Sequence, residues 1–126
     1  MKKIIFTDKA PAPIGPYNQA VLVGSTLYTS GQIALDPSTM KLVIDTIELE
    51  TTQVMNNMKA VLEAAEMDFS NVIKSTIFIT DMNDFARINE VYSRYFEEAF
   101  APARETVQVA KLPRNVNIEI SMIAIK

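Results

Sequence analysis

A chain of 126 residues, 48% hydrophobic and 21% charged, has room for one hydrophobic core, so residues 1–126 read as one globular domain. It contains no cysteine and no histidine, which excludes disulfides, thiolate nucleophiles, iron–sulfur ligand sets, a Ser-His-Asp triad and the usual zinc sites. The net charge of −3 and scattered basic residues, with Lys111 and Arg114 only a small local pair, lack the stripe that neutralises phosphates, so no nucleic-acid partner is expected.

No apolar run approaches the roughly 20 residues of a membrane span, and the basic start Met1–Asp8 lacks a sustained apolar core. No membrane partner or signal peptide is expected, and the cytoplasm is the default compartment. Lys3–Phe6 reads as a strand, followed by a stiff loop through Pro11, Pro13, Gly15 and Pro16. Tyr17–Val23 and Thr26–Ile33 flank Gly24-Ser25 as a hairpin, and Asp36-Pro37-Ser38-Thr39 is a turn. From Ile47 to Glu66 the set Val54, Met58, Val61, Leu62, Ala65 follows the helical period, which leaves Glu48, Glu50, Glu63 and Glu66 as a solvated face. Met55, Met58 and Met67 read as packing residues.

Val72–Thr80 is a strand rich in β-branched residues, and Asp81-Met82-Asn83-Asp84 supplies caps for a second helix. On that helix Phe85, Ile88, Tyr92 and Tyr95-Phe96 share a stripe that reads as core. Strands at Arg104–Ala110 and Asn117–Ile125 follow Pro102. The order β-β-β-α-β-α-β-β indicates an α+β or α/β sandwich with helices on one face of a mixed sheet.

Two charges interrupt the last two strands. Arg104, Thr106 and Gln108 alternate with Val107 and Val109, while Asn117, Glu119 and Ser121 alternate with Val116, Ile118, Ile120 and Met122. If the valine and isoleucine faces both pack under the helices, Arg104 and Glu119 both point away from them. Apolar Ile123 and Ile125 on the face of Glu119 imply a cover, for which a neighbouring subunit is the economical candidate. A guanidinium grips a carboxylate and a glutamate activates water, which points to a small organic acid that gains water. A structural ion pair between Arg104 and Glu119 is the competing reading.

The segments Pro13-Ile14-Gly15-Pro16-Tyr17, Ser30-Gly31-Gln32-Ile33 followed by Asp36-Pro37, Asn89 with Tyr92, Pro102-Ala103-Arg104, Leu112-Pro113 and Ile118-Glu119-Ile120 run in one order across the chain. Together they resemble the RidA/YjgF family of reactive enamine/imine deaminases. The resemblance implies an α+β, chorismate-mutase-like (bacillary-type) fold, with a mixed six-stranded sheet and two helices on one face. It further implies a homotrimer whose sheets form a central barrel, with active sites between subunits. Small imines such as 2-aminoacrylate and its tautomer 2-iminopropanoate would be hydrolysed to 2-oxo acids (pyruvate, 2-oxobutanoate) and ammonia, with no cofactor and no metal. Arg104 would grip the substrate carboxylate and Glu119 would serve the water. Tyr17, Ser30, Gly31 and Asn89 would line the cleft, and backbone near Gly31 and Thr106 would meet the nitrogen.

The chain departs from the family pattern at Ser121, where relatives usually carry a second glutamate, at Thr106 in place of a frequent cysteine, and at Glu66 in place of glycine. A small-acid-binding regulatory or chaperone-like trimer is the rival reading. An RNA-cleaving translation inhibitor is a third, disfavoured by the missing histidine and basic stripe.

Overall fold

The computed structural model describes residues 1–126. Eight elements follow in the expected order: strands β1 (Lys2–Ile5), β2 (Ala20–Val23) and β3 (Thr26–Thr29), helix α1 (Ile47–Ala64), strand β4 (Val72–Ile79), helix α2 (Phe85–Ser93), and strands β5 (Ala103–Gln108) and β6 (Ile118–Ile125). They build one six-stranded sheet in the order β1-β2-β3-β6-β4-β5. Neighbours are antiparallel except β4 and β5, which run parallel because α2 carries the chain back between them. The fold is α+β, with both helices on one face. No helix is long and apolar enough to cross a membrane.

Alternation on β6 fixes the faces. Ile118, Ile120, Met122 and Ala124 are buried against α1, and Glu119, Ser121, Ile123 and Ile125 face the other way. Val54, Met55, Met58, Val61 and Leu62 complete this core from the helix, each contributing about 1.5–3 kcal/mol on burial. The opposite face of the sheet has no covering layer within the chain. Tyr28 is 50% exposed there, with Ile4, Val23, Val107 and Ile125 nearly as open.

β2 and β3 are shorter than the sequence implied: the Ser30 amide still donates to the Gln19 carbonyl at 2.9 Å, but beyond Tyr28 the chain leaves the β6 ladder. β3 pairs with Ile123–Ile125, and the chain rejoins β6 only at Gln32, which exchanges hydrogen bonds with Ile120 (2.8 and 3.2 Å). Between the two contacts the Thr29 hydroxyl accepts from the Met122 amide at 2.9 Å. The resulting bulge carries Gly31 over the Glu119 side chain.

Period-2 reasoning failed on β5. Ser75, Ile77 and Ile79 of β4 lie on the helix face, and their β5 partners are Arg104, Thr106 and Gln108. Val107 therefore sits on the open face with Glu119, paired through Phe78. Val107 of β5 and the buried isoleucines of β6 face opposite ways, so Arg104 and Glu119 do too. β5 is an edge strand that α2 covers only in part, so apolar side chains on it do not mark the core side.

The solvated-face reading of α1 also fails at Glu50, which is 0% exposed. Its carboxylate accepts from the Asn117 amide and from Asn117 Nδ2, both at 2.7 Å, tying the first turn of α1 to the start of β6. Glu50 is three residues after Ile47 and four before Val54, on the buried stripe.

α1 starts at Thr46, whose hydroxyl accepts from the Leu49 amide at 3.1 Å. It stops at Ala64 rather than Glu66. The Met67 amide donates to the Leu62 carbonyl and the Glu66 amide to the Glu63 carbonyl, with Glu66 at φ 59. This is a Schellman cap with glutamate at the position that favours glycine. Glu66→Gly is expected to stabilise the fold by about 0.5–1 kcal/mol, after its own unfolded-state entropy cost. Urea unfolding checks this as an upward shift of the midpoint. α2 ends at Ser93, short of Tyr95-Phe96. Those two rings instead pack edge-on against Phe69, with centroids 5.3 Å away in each case.

Candidate functional site

Arg104 stands on the edge strand β5 beneath α2. Its Nη1 donates to Asn89 Oδ1 at 2.6 Å, and its guanidinium carbon lies 5.0 Å from the Tyr92 ring centroid and 5.7 Å from that of Phe85. Two ring faces and one amide hold the fork, each cation–π contact contributing about 0.5–2 kcal/mol. Tyr92 is itself fixed, donating its hydroxyl to Ser75 Oγ at 2.8 Å. Burial pushes the Tyr92 phenol above its ordinary value, against the opposing pull of Ser75 and the Arg104 charge. No carboxylate pairs with Arg104, so most of its donors remain for a ligand. Arg104 and Asn89 line one cavity together with Tyr92, Phe96 and Pro102.

Glu119 lines a different cavity, of about 470 Å³, with Tyr17, Ser30, Gly31, Ile33, Pro113 and Arg114. Its carboxylate packs on Gly31, where a Cβ would stand 2.7 Å from Glu119 Cδ. It has no side-chain hydrogen bond or ion pair, and burial raises its pKa above the ordinary 4.5. A partly buried carboxylate of this kind, without a partner, is poised to exchange protons with a bound molecule.

The walls of this cavity are pinned from behind. Gln19, 2% exposed, donates from Nε2 to the Thr7 and Pro11 carbonyls at 2.9 Å and accepts from the Thr7 amide at 2.7 Å, which locks the proline-rich loop. Asn57 on α1 donates to the Leu35 carbonyl at 2.8 Å and the Ile33 carbonyl at 3.2 Å, fixing the opposite wall. Ser30 Oγ donates to the Asn18 carbonyl, so the hydroxyl serves loop geometry rather than attack. Tyr17 is 49% exposed at the rim.

Within one chain the expected residues thus fall into two groups. Tyr17, Ser30, Gly31 and Glu119 come together, and Arg104 and Asn89 come together. The competing ion pair between Arg104 and Glu119 does not form. Thr106 belongs with Arg104 by register, and its hydroxyl oxygen is buried without a partner. Sequence reasoning missed Arg114, whose signal was its place beside Pro113 and five residues before Glu119. It also missed the supports Gln19, Asn57 and Glu50. No cluster of three or more acidic residues able to hold a metal ion is present.

Comparison with known proteins adds a family to this geometry. Residues 7–126 match the family described as Endoribonuclease L-PSP. The human 2-iminobutanoate/2-iminopropanoate deaminase is 48% identical over 126 residues, covering 100% of this chain and 91% of that protein. The crystal structure of the YjgF gene product of E. coli superposes with a TM-score of 0.92 at 44% identity, covering 98% of both chains. That of E. coli TdcF with bound serine also gives 0.92, at 47% identity and 98% coverage of both. With the match running almost end to end, and the sheet and helices superposing throughout, this chain belongs to the RidA/YjgF family.

Proposed function

We propose that the protein hydrolyses enamine/imine intermediates such as 2-aminoacrylate/2-iminopropanoate to 2-oxo acids and ammonia, at sites shared between neighbouring copies of a homotrimer. The observation that carries this reading is Glu119, a partly buried carboxylate with no protein partner, facing Gly31 in a cavity. The deaminase name of relatives such as the human protein supports the reaction, and the serine held by E. coli TdcF supports a small carboxylate ligand.

In the proposed site Arg104 of one copy reaches round the edge of its sheet toward the Glu119 cavity of the next. Opposite faces of one sheet cannot meet a six-atom substrate, so both groups act on it only across such a junction. The uncovered apolar sheet face supplies the area that a barrel of three sheets would bury. The unpaired edge of β5 leaves backbone groups near Thr106 for the substrate nitrogen.

The chemistry then follows. The enamine takes a proton at C3 to become the protonated imine (iminium), whose C2 is electrophilic. Arg104 clamps the carboxylate through two parallel hydrogen bonds and fixes C2 beside Glu119. Glu119 accepts a proton from water as its oxygen bonds to C2, and the C=N π pair moves to nitrogen. The carbinolamine then loses its hydroxyl proton, the C–N bond breaks, and ammonia leaves with a proton returned by Glu119. One water is consumed and one ammonia released.

A coupled assay tests the reading. A pyridoxal-dependent serine or threonine dehydratase supplies the imine, and added protein should accelerate its disappearance above the dehydratase alone. No acceleration by folded protein that still binds a 2-oxo acid would leave the binding-only trimer. Gly31→Ala is a second expected outcome. The Gly31 backbone is not left-handed, so alanine fits the chain, but its Cβ displaces the carboxylate. The kcat/KM should drop roughly tenfold to a hundredfold while the melting temperature holds.

A further inference from the structure

The wall of the Glu119 cavity includes an exposed arginine that the proposed reaction does not use. Arg114 lies on its wall beside Pro113. No carboxylate lies within salt-bridge distance of it, and its side chain makes no hydrogen bond in the chain. It forms no salt bridge with Glu119 either.

The backbone at Arg114 is unusual. Arg114 has φ 57 and ψ 22, and Asn115 follows at φ 57. Of these two successive left-handed residues, Arg114 costs about 1–2 kcal/mol, whereas asparagine adopts the conformation more readily. The hydrogen bonds from the Asn115 amide to Leu112 and from the Val116 amide to Pro113 hold the turn. Downstream, the grip of Glu50 on Asn117 anchors it to α1. A long side chain on a turn held this firmly has a fixed point of departure. Strain of this kind is concentrated at ligand clamps.

Size points the same way. Within one chain the open cavity of about 470 Å³ has room for a ligand longer than six heavy atoms. Its remaining wall, including Ile14, Ile33 and Leu35, suits a methylene chain. Resting on the deaminase reading above, we infer that Arg114 is a specificity-determining residue that binds a second carboxylate at the far end of the substrate. The preferred long substrates are then dicarboxylic 2-imino acids, with Arg104 of the adjacent copy on the near carboxylate.

The test generates imines in situ with amino-acid oxidases acting on alanine, leucine and glutamate, and follows their loss by semicarbazide trapping. Wild type, Arg114→Met and Arg114→Lys are compared, each checked for an unchanged melting temperature. Arg and Met both meet the same left-handed backbone, so the variant isolates the charge. Arg114→Met should lower the ratio of kcat/KM for the glutamate imine over the alanine imine by about 10- to 100-fold, the factor of one lost charge-assisted contact. Arg114→Lys should recover part of it. An unchanged ratio, or a wild type that hydrolyses the alanine imine but not the glutamate imine, overturns the inference and leaves the deaminase reading standing. An equal loss on all three imines overturns it too, and makes Arg114 the near-carboxylate anchor in place of Arg104. Failure of wild type on every imine sinks the deaminase reading itself.

Discussion

Replacing Arg104 with alanine should lower kcat/KM for imine hydrolysis by at least about a hundredfold, with the fold intact. The guanidinium is the only cation on the Asn89–Tyr92 platform, and a bidentate, charge-assisted clamp both binds the substrate and orients C2, so its loss removes contact energy and alignment together. Stability should fall only modestly, by about 1–2 kcal/mol, as the exposed side chain gives up its contacts with the Phe85 and Tyr92 rings and with Asn89 but breaks no ion pair. Arg104→Lys should fail nearly as badly, since a point charge cannot reproduce the fork. Steady-state rates beside thermal melts check this. A variant with wild-type rates would remove Arg104 from the chemistry.

Glu119→Gln should slow turnover by about a hundredfold or more while retaining 2-oxo-acid binding, as expected when a proton acceptor is lost but the clamp remains. The pH dependence makes the prediction sharper. Burial raises the Glu119 pKa above 4.5, and only the ionised form accepts a proton. The acid limb of the wild-type rate should therefore lie above the usual glutamate value, and the variant should lack it. For stability the sign runs the other way. A carboxyl whose pKa is higher folded than unfolded gives a contribution that is fully present below the unfolded value and is lost as pH climbs through the folded one. Glu119→Gln should flatten that decline. An unshifted limb that persists in the variant would assign proton acceptance to another group.

Much of the fold was legible because its signals are local. The 3.6-residue spacing of Val54, Met58, Val61 and Leu62, the β-branched run of β4, and the glycine turn at Gly24 (φ 60) each declare one element without reference to the rest. The faces of β5 were not legible. Alternation says which side chains share a side, but only pairing with β4 says which side meets the helices, and that partner is set by a parallel crossover. Glu50 escaped for a different reason. Its charge outweighed its position on the buried stripe, and the compensating partner, Asn117, is 67 residues away. The site showed the same division. Glu119 and Gly31 could be named separately, yet their contact depends on a bulge that no short segment encodes. Arg104 and Glu119 looked like one site in sequence and lie on opposite faces in space, so the proposed reaction requires a second copy.

That necessity can be measured by mixing two inactive proteins. Arg104→Ala and Glu119→Gln are co-expressed with different tags, and trimers carrying both tags are isolated. In a ring of three where each site takes its arginine from one protomer and its glutamate from the next, every mixed trimer has both intact groups at one site, about a third of its sites. Shared sites therefore predict recovery of imine hydrolysis toward that fraction of the wild-type rate. Mixed trimers as inactive as either parent would contradict the account, because each site would then draw both groups from a single chain.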